Sequence, residues 1–190
     1  MKKKIITFII SLLSVLSIPM MIFAEGEAVI DTGDTAFNMV SAALVFLMTP
    51  ALAFFYGGMV RKKNVLNTLM NSFVMVGLIS IQWVLIGYTL AFGSDKGGLV
   101  GGLDFLGFIG VGGTPNPDYA ATIPHAGFAM YQMMFAIITP ALISGAFAER
   151  MRFSAFLIFS TLWATLVYDP LAHWVWGVGG WIRELGALDF

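Results

Sequence analysis

Cysteine is absent from the chain, which excludes disulfides, thiol catalysis and cysteine-based metal sites. Histidine is nearly absent. His125 and His173 are the whole supply, too few for a protein-built transition-metal centre. Charge is scarce as well, at 11% of residues where a soluble domain carries roughly a quarter. The formal net charge of -1 and the short clusters of Lys and Arg offer nothing to a nucleic-acid partner. No nucleophile–base pair or metal cluster stands out, so an enzyme is the least favoured class. No cofactor is implied.

What fills the chain is apolar: 58% hydrophobic residues and a mean hydropathy of +0.87. That composition belongs to a membrane protein. Lys2-Lys3-Lys4, then an apolar stretch from Ile5 to Ile22, then Ile22-Phe23-Ala24 before Glu25, reads as a signal peptide over residues 1–24. The alternative is an uncleaved first membrane helix. Residues 25–190 then hold four spans of bilayer length, about Thr35–Val60, Val65–Phe92, Ala126–Phe147 and Phe153–Trp176. A Gly-rich loop from Gly93 to Thr122 separates the second and third. Arg61-Lys62-Lys63 and Arg150 with Arg152 fall in connections on one side, while the long loop carries Lys96 against Asp95, Asp104 and Asp118. The positive-inside rule puts the basic connections in the cytoplasm and the N-terminus outside, in a bacterial inner membrane.

Within the spans, Pro50 and Pro140 are expected to remove a backbone bond and kink their helices. Ala141 with Gly145, and Ser144 with Ala148, repeat at four-residue spacing and invite close helix approach. Phe128, Tyr131 and Phe135 recur at helical spacing, with Gln132 beside them and Thr139 further in. Such a stripe is more often bundle core or lipid contact. As a row of ring faces it can also attract a cation, by roughly 0.5–2 kcal/mol per ring. Trp174 and Trp181 suit an interfacial aromatic belt, and Trp176 stands beside them. Asp169, next to Pro170, is read as structural, either hydrated or bonded to the chain around the proline. Asp189, between Gly186-Ala187-Leu188 and Phe190, opens what reads as a further membrane segment. It is a functional candidate or a helix N-cap. Asn64, Asn67, Thr68 and Asn71 suit interhelical bonding, with an inner vestibule as runner-up, and Asp34, Asn38 and Ser41 suit capping and packing. His125 and His173 lie too near the boundary for a proton relay deep in the membrane.

Several of these stretches resemble one family. Phe54-Phe55-Tyr56-Gly57-Gly58-Met59-Val60-Arg61-Lys62-Lys63-Asn64-Val65 resembles the first-helix signature of the ammonium transporters, the Amt/Mep/Rh superfamily. Gly145 to Phe153, Pro170-Leu171-Ala172-His173-Trp174-Val175-Trp176-Gly177 and Gly186-Ala187-Leu188-Asp189-Phe190 follow in the family's order and approximate spacing. The resemblance covers the chain from about Asp34 to its end. It implies an all-α polytopic membrane protein, here the incomplete first half of an eleven-helix bundle built as two inverted repeats. It further implies a homotrimer with one pore per subunit, ammonium or ammonia as substrate, and a PII-type protein as a possible cytoplasmic partner. By motif match Phe135 resembles the outer gate phenylalanine, Trp176 the recruitment tryptophan and Asp189 the essential aspartate. Tyr131 takes the neighbouring gate-side aromatic position. The family's two pore histidines belong to helices beyond Phe190, so the sequence reads as an N-terminal portion that closes no pore within one subunit. A membrane ammonium sensor, or an assembly or regulatory partner of a full-length transporter, is the alternative.

Overall fold

The computed structural model describes residues 29–189. The expected signal peptide and Phe190 lie outside the described residues. Four helical stretches among them are long and apolar enough to cross a membrane: Thr32–Met59, Lys62–Phe92, His125–Phe147 and Phe153–Glu184. The first is one helix, α1 (Thr32–Met59). The second comprises α2 (Val65–Gln82), a wide π turn (Trp83–Gly87) and α3 (Tyr88–Phe92). The third is α4 (His125–Phe147). The fourth comprises α5 (Phe153–Trp163), a second π turn (Ala164–Tyr168) and α6 (Asp169–Trp176), followed by the short α7 (Trp181–Glu184). These bounds agree with the sequence reading to within a few residues, the first span starting earlier than expected.

Helix irregularity falls elsewhere than expected. Pro50 and Pro140 sit inside helices that continue past them. The breaks in regularity are the two π turns, which the sequence does not announce. The long loop is not structureless either. It folds into two antiparallel hairpins, β1 (Asp95–Lys96) with β2 (Val100–Gly101) and β3 (Pro115–Asn116) with β4 (Ala120–Pro124), joined through a helical turn at Leu106–Phe108. Thr89 on α3 anchors it, its hydroxyl donating to the Gly102 carbonyl at 2.7 Å and accepting from Phe105 N at 3.0 Å.

The two ends of the bundle are now distinct. At the basic end, Glu149 joins the two charged connections: it accepts from Arg61 N at 3.1 Å and Asn64 Nδ2 at 2.7 Å, and pairs with Arg61 Nη2 at 2.8 Å. These contacts hold Glu149 in a left-handed backbone conformation, φ 65°, that costs a non-glycine residue about 1–3 kcal/mol. The Arg61 guanidinium, then Asn64, pull its carboxyl down to about 2. The clamp is therefore present above the ordinary glutamate range and is lost only as pH falls through that depressed value. At the opposite end, the loop face, Asp31 caps α1 by accepting from Asp34 N at 2.8 Å, and its own amide donates to Thr122 O. The capping expected of Asp34 thus belongs to Asp31.

Close helix approach follows the small residues. In α1 the buried positions are Thr49, Ala53 and Gly57, a stripe at four-residue spacing, while Phe37, Val40, Leu44 and Phe54 stay exposed on the other faces. On α4, Gly145 admits the ring of Tyr56: a Cβ there would lie 2.7 Å from Tyr56 Cζ. The Tyr56 hydroxyl then reaches the Leu142 carbonyl at 2.8 Å. The interior is completed by Met75, Ile79 and Trp83 of the second span, Met133 and Ile137 of α4, and Phe156 and Tyr168 of the fourth.

Gly145→Val is therefore expected to push Tyr56 off α4 and lose its bond to Leu142, destabilising the bundle by about 1–3 kcal/mol. Tyr56→Phe, which keeps the ring, should lose only about 1 kcal/mol. Thermal unfolding in detergent orders the two variants, and equal losses would contradict this account of the contact.

Candidate functional site

At the loop face a cavity of about 420 Å³ opens between the end of the second span, α4, α6 and the chain after α7. Four aromatic rings stand in its walls, Phe92, Tyr119, Phe128 and Trp176, with Gln132 among them. The first three rings form one cluster. Phe92 meets Tyr119 edge-on at 5.0 Å and Phe128 edge-on at 5.2 Å, and Tyr119 and Phe128 stack at 5.6 Å. The charged groups at the rim are Asp118, Asp189 and Arg183.

Trp176 ends α6. Arg183 Nη1 donates to its carbonyl at 2.7 Å, and Tyr119 Oη accepts from Val178 N at 2.9 Å just beyond it. The indole N–H is buried with no hydrogen-bond partner among the described residues. Arg183 is thus turned to the backbone that carries the tryptophan. Asp189 lines the same cavity but is exposed, and the chain from Ala187 to Asp189 is not helical. The expected start of a further segment is therefore not formed within the described residues.

Tyr131 and Phe135 form a separate pair, edge to face at 5.2 Å. Neither ring lines the cavity that holds Trp176. Tyr131 instead borders a smaller hollow of about 280 Å³ beside α1, with Asp34, Asn38 and Ser41. The stripe read from the sequence is thus split. Phe128 and Gln132 face the mouth, and Tyr131 and Phe135 meet on an adjoining side of α4. Phe135 lies ten residues along α4 from His125, or about 15 Å further along the helix at 1.5 Å per residue.

The residues read as structural have definite partners. Asp169 is fully buried and accepts from Gln82 Nε2 at 2.6 Å rather than from the chain around Pro170. Gln82 also donates to Thr165 Oγ1 at 3.2 Å. This polar knot sits where both π turns begin or end, Gln82 just before one and Asp169 just after the other. His125 bonds the Tyr88 hydroxyl at 2.5 Å, and His173 bonds Ala91 and Asp95. In the asparagine stripe, Asn64 does bond between spans, through Glu149. Thr68 bonds its own helix at the Asn64 carbonyl, and Asn67 lines a surface groove with Lys63 and Phe153.

Sequence reasoning singled out Trp176, Asp189, Phe128 and Gln132, which the fold brings to one cavity. It missed Phe92, Tyr119, Asp118 and Arg183 as partners in that wall. Tyr119 and Asp118 come from the Gly-rich loop, where no periodicity marks which side chains turn inward. Gln82 was legible in principle, as the one amide in an otherwise apolar run from Phe73 to Phe92.

Residues 36–190 match the family model described as the Ammonium Transporter Family. Among curated proteins, an ammonium transporter of Bacillus subtilis is 63% identical over 158 residues, covering 83% of this chain and 38% of that protein. Ammonium transporter Amt1 of Archaeoglobus fulgidus is 46% identical, again over 83% of this chain and 38% of its own length. The crystal structure of Saccharomyces cerevisiae Mep2 superposes with a TM-score of 0.77 at 38% identity, over 85% of this chain and 35% of that one. A solved structure described as a sensor Amt protein matches with a TM-score of 0.72 at 26% identity, over 82% of this chain and 38% of that one. The chain thus spans less than two fifths of the length of these relatives.

Removing one partner from the Gln82–Asp169 bond leaves a buried polar group unsatisfied, whereas removing both does not. Gln82→Leu is expected to destabilise the protein by about 1–3 kcal/mol. The double variant Gln82→Leu with Asp169→Leu should recover a large part of that loss. Unfolding of the single and double variants in detergent measures the difference, and additive losses would show that the bond is not the source.

Proposed function

The chain belongs to the ammonium transporter family, and from that premise we propose that it supplies the recruiting side of a transmembrane pathway for ammonium or ammonia. The observation that carries the reading is the convergence of Trp176 and Asp189 with the Phe92, Tyr119 and Phe128 rings on one cavity at the loop face. Ring faces attract a small cation by roughly 0.5–2 kcal/mol each, enough to concentrate it without trapping it. The carboxylates of Asp118 and Asp189 add a negative rim. Arg183 is the one basic side chain in that wall, and its bond to the Trp176 carbonyl gives it a place in holding the ring.

In this reading the loop face lies outside and the basic face in the cytoplasm, because Arg61, Lys62, Lys63, Arg150 and Arg152 gather at the latter. Ammonium enters over Trp176. Asp189 steadies the site electrostatically and assists deprotonation rather than holding the ion. The Tyr131–Phe135 pair, on the adjoining side of α4 with Phe135 one turn beyond Gln132, forms the gate past which the uncharged molecule moves. Its rings suit that task because an apolar constriction opposes a charged species far more than a neutral one. The assembly is a homotrimer in the bacterial inner membrane, with the Glu149 clamp setting the shape of the cytoplasmic surface where a PII-type protein docks. A second reading, that this part serves a membrane ammonium sensor, draws support from the likeness to the sensor Amt structure. There the same cavity binds ammonium as a signal.

Uptake by a strain lacking its own ammonium transporters tests the proposal. Expression of the full-length transporter that carries this chain should restore growth on limiting ammonium, and Asp189→Ala should abolish the rescue. Trp176→Leu should raise the apparent KM by about 2- to 30-fold, the equivalent of one lost ring contact. Unchanged uptake in Asp189→Ala would sink the role given to that carboxylate. Ammonium binding without uptake would favour the sensor.

A further inference from the structure

His173 is fully buried on α6, yet both of its ring nitrogens face acceptors. Nδ1 lies 3.0 Å from the Ala91 carbonyl oxygen and Nε2 lies 3.0 Å from Asp95 Oδ1. Neither a backbone carbonyl nor a carboxylate has a proton to give. Both contacts are hydrogen bonds only when both ring nitrogens carry protons, as they do in an imidazolium paired with a carboxylate. A neutral ring keeps one of the two bonds and turns a lone pair toward the other acceptor.

The surroundings hold this arrangement at the end of the helix that carries Trp176. The Gly177 amide, which closes α6 directly after Trp176, donates to the His173 carbonyl at 2.8 Å. Gly177 lies so near the imidazole that a Cβ there would collide with Nδ1. Gly179 has φ 86°, and a Cβ on it would lie 2.7 Å from the Asp95 Cβ. A second bond from the same hairpin runs alongside, Trp174 Nε1 donating to the Leu99 carbonyl at 2.7 Å. His173 and Trp176 are one helical turn apart. The β1–β2 hairpin, the imidazole and the helix end that presents Trp176 therefore form one packed unit.

We infer that His173 is a positioning residue: as an imidazolium it straps the Asp95 hairpin onto the end of α6 and fixes Trp176 in the cavity wall. Recruitment of ammonium then weakens when either bond of the strap is removed. The positioning role rests on the function proposed above for Trp176, whereas the strap stands on its own bonds.

The other ionisable groups on the elements packed around His173 do not compete for it. Tyr88 of α3 is bonded to His125, Asp169 of α6 to Gln82, and Arg183 of α7 to the Trp176 carbonyl. Tyr168 of the π turn packs on the Trp83 ring. Lys96 and Glu184 are exposed. Among the described residues the imidazole bonds only Ala91 and Asp95. In keeping with the pair, the His173 bond, joined by the Gly98 amide, holds the Asp95 carboxyl below the ordinary carboxylate range. The strap is lost in acid, as pH falls through the lowered Asp95 value.

The test uses ¹⁵N-histidine-labelled protein in lipid vesicles, with the two histidine signals assigned by His173→Gln. The nitrogen spectra should show both ring nitrogens of His173 protonated while Asp95 is ionised, and Asp95→Asn should leave only one of them protonated. In uptake measurements on the full-length transporter that carries this chain, His173→Gln and Asp95→Asn should each raise the apparent KM for ammonium ion several-fold with little change in maximal rate. The double variant should raise it no further than either alone. A neutral His173 ring beside an ionised Asp95, a ring unchanged in Asp95→Asn, or an unaltered KM in both variants each overturns the proposal. Vesicles that take up no ammonium at any pH overturn the transport reading and the positioning role with it, while the spectra still decide the strap.

Discussion

In an apolar slab a polar side chain has no water to fall back on, so each bond between spans selects one arrangement of helices against the rest. Span two is where these bonds meet. Gln82 reaches Asp169 on span four, and the Trp83 indole donates to the Ala129 carbonyl on span three at 3.2 Å. Tyr88 reaches His125 at the start of span three, and Asn64 reaches Glu149 beyond its end. Dispersion alone distinguishes poorly between apolar faces, since lipid tails pack against leucine as readily as another helix does. The polar contacts along this one span supply the register that apolar packing lacks. Both π turns fall beside the Gln82–Asp169 bond, as expected where two helices must re-aim a side chain toward a fixed partner.

The same logic explains why the loop face is ordered. A loop of some thirty residues without structure of its own would be unusual over a compact bundle. Here Thr89 fastens it from below, and Ser94 fastens it within, donating to Asp104 Oδ2 from its amide at 2.8 Å and its hydroxyl at 2.6 Å. Those donors hold the Asp104 carboxyl below the ordinary carboxylate range. Once fixed, the loop delivers Tyr119 and Asp118 to the cavity. Burial pushes the Tyr119 phenol up, so it remains a neutral hydroxyl that bonds the backbone beyond Trp176. The mouth is thus built from a membrane helix on one side and an extramembrane loop on the other.

The spans, their ends and the pairing of the two basic connections were legible because hydropathy and charge mark them directly. The faces of the spans were not. When a helix is apolar on every side, periodicity has no contrast from which to read orientation. Small residues gave partial help: Gly145 pointed to a close contact, but not to Tyr56 as the ring that fills it. The Phe128–Tyr131–Phe135 stripe shows the limit. Helical spacing placed the three on one broad face, and the packing of α1 along one edge of α4, with the cavity opening at another, divided them. Asp169 was legible as structural, yet its partner lay 87 residues away in sequence, beyond the reach of any local pattern.

This division has a consequence for how a cation and its neutral partner would travel. The cavity rings and the Tyr131–Phe135 pair are not one continuous surface, so an ion held over Trp176 does not slide along aromatic faces into the membrane. It meets a change of environment between Gln132, at the floor of the mouth, and Phe135, one turn deeper. On the mouth side there are carboxylates and solvent access to support charge. Beyond it, at Phe135, a ring packed edge to face in an apolar span replaces them, and there an uncompensated charge is unfavourable by many times RT. A step between two such environments separates holding the ion from admitting the neutral molecule. On the function proposed above, the aromatic residues thus divide between two tasks, attraction at the mouth and exclusion of charge at Phe135.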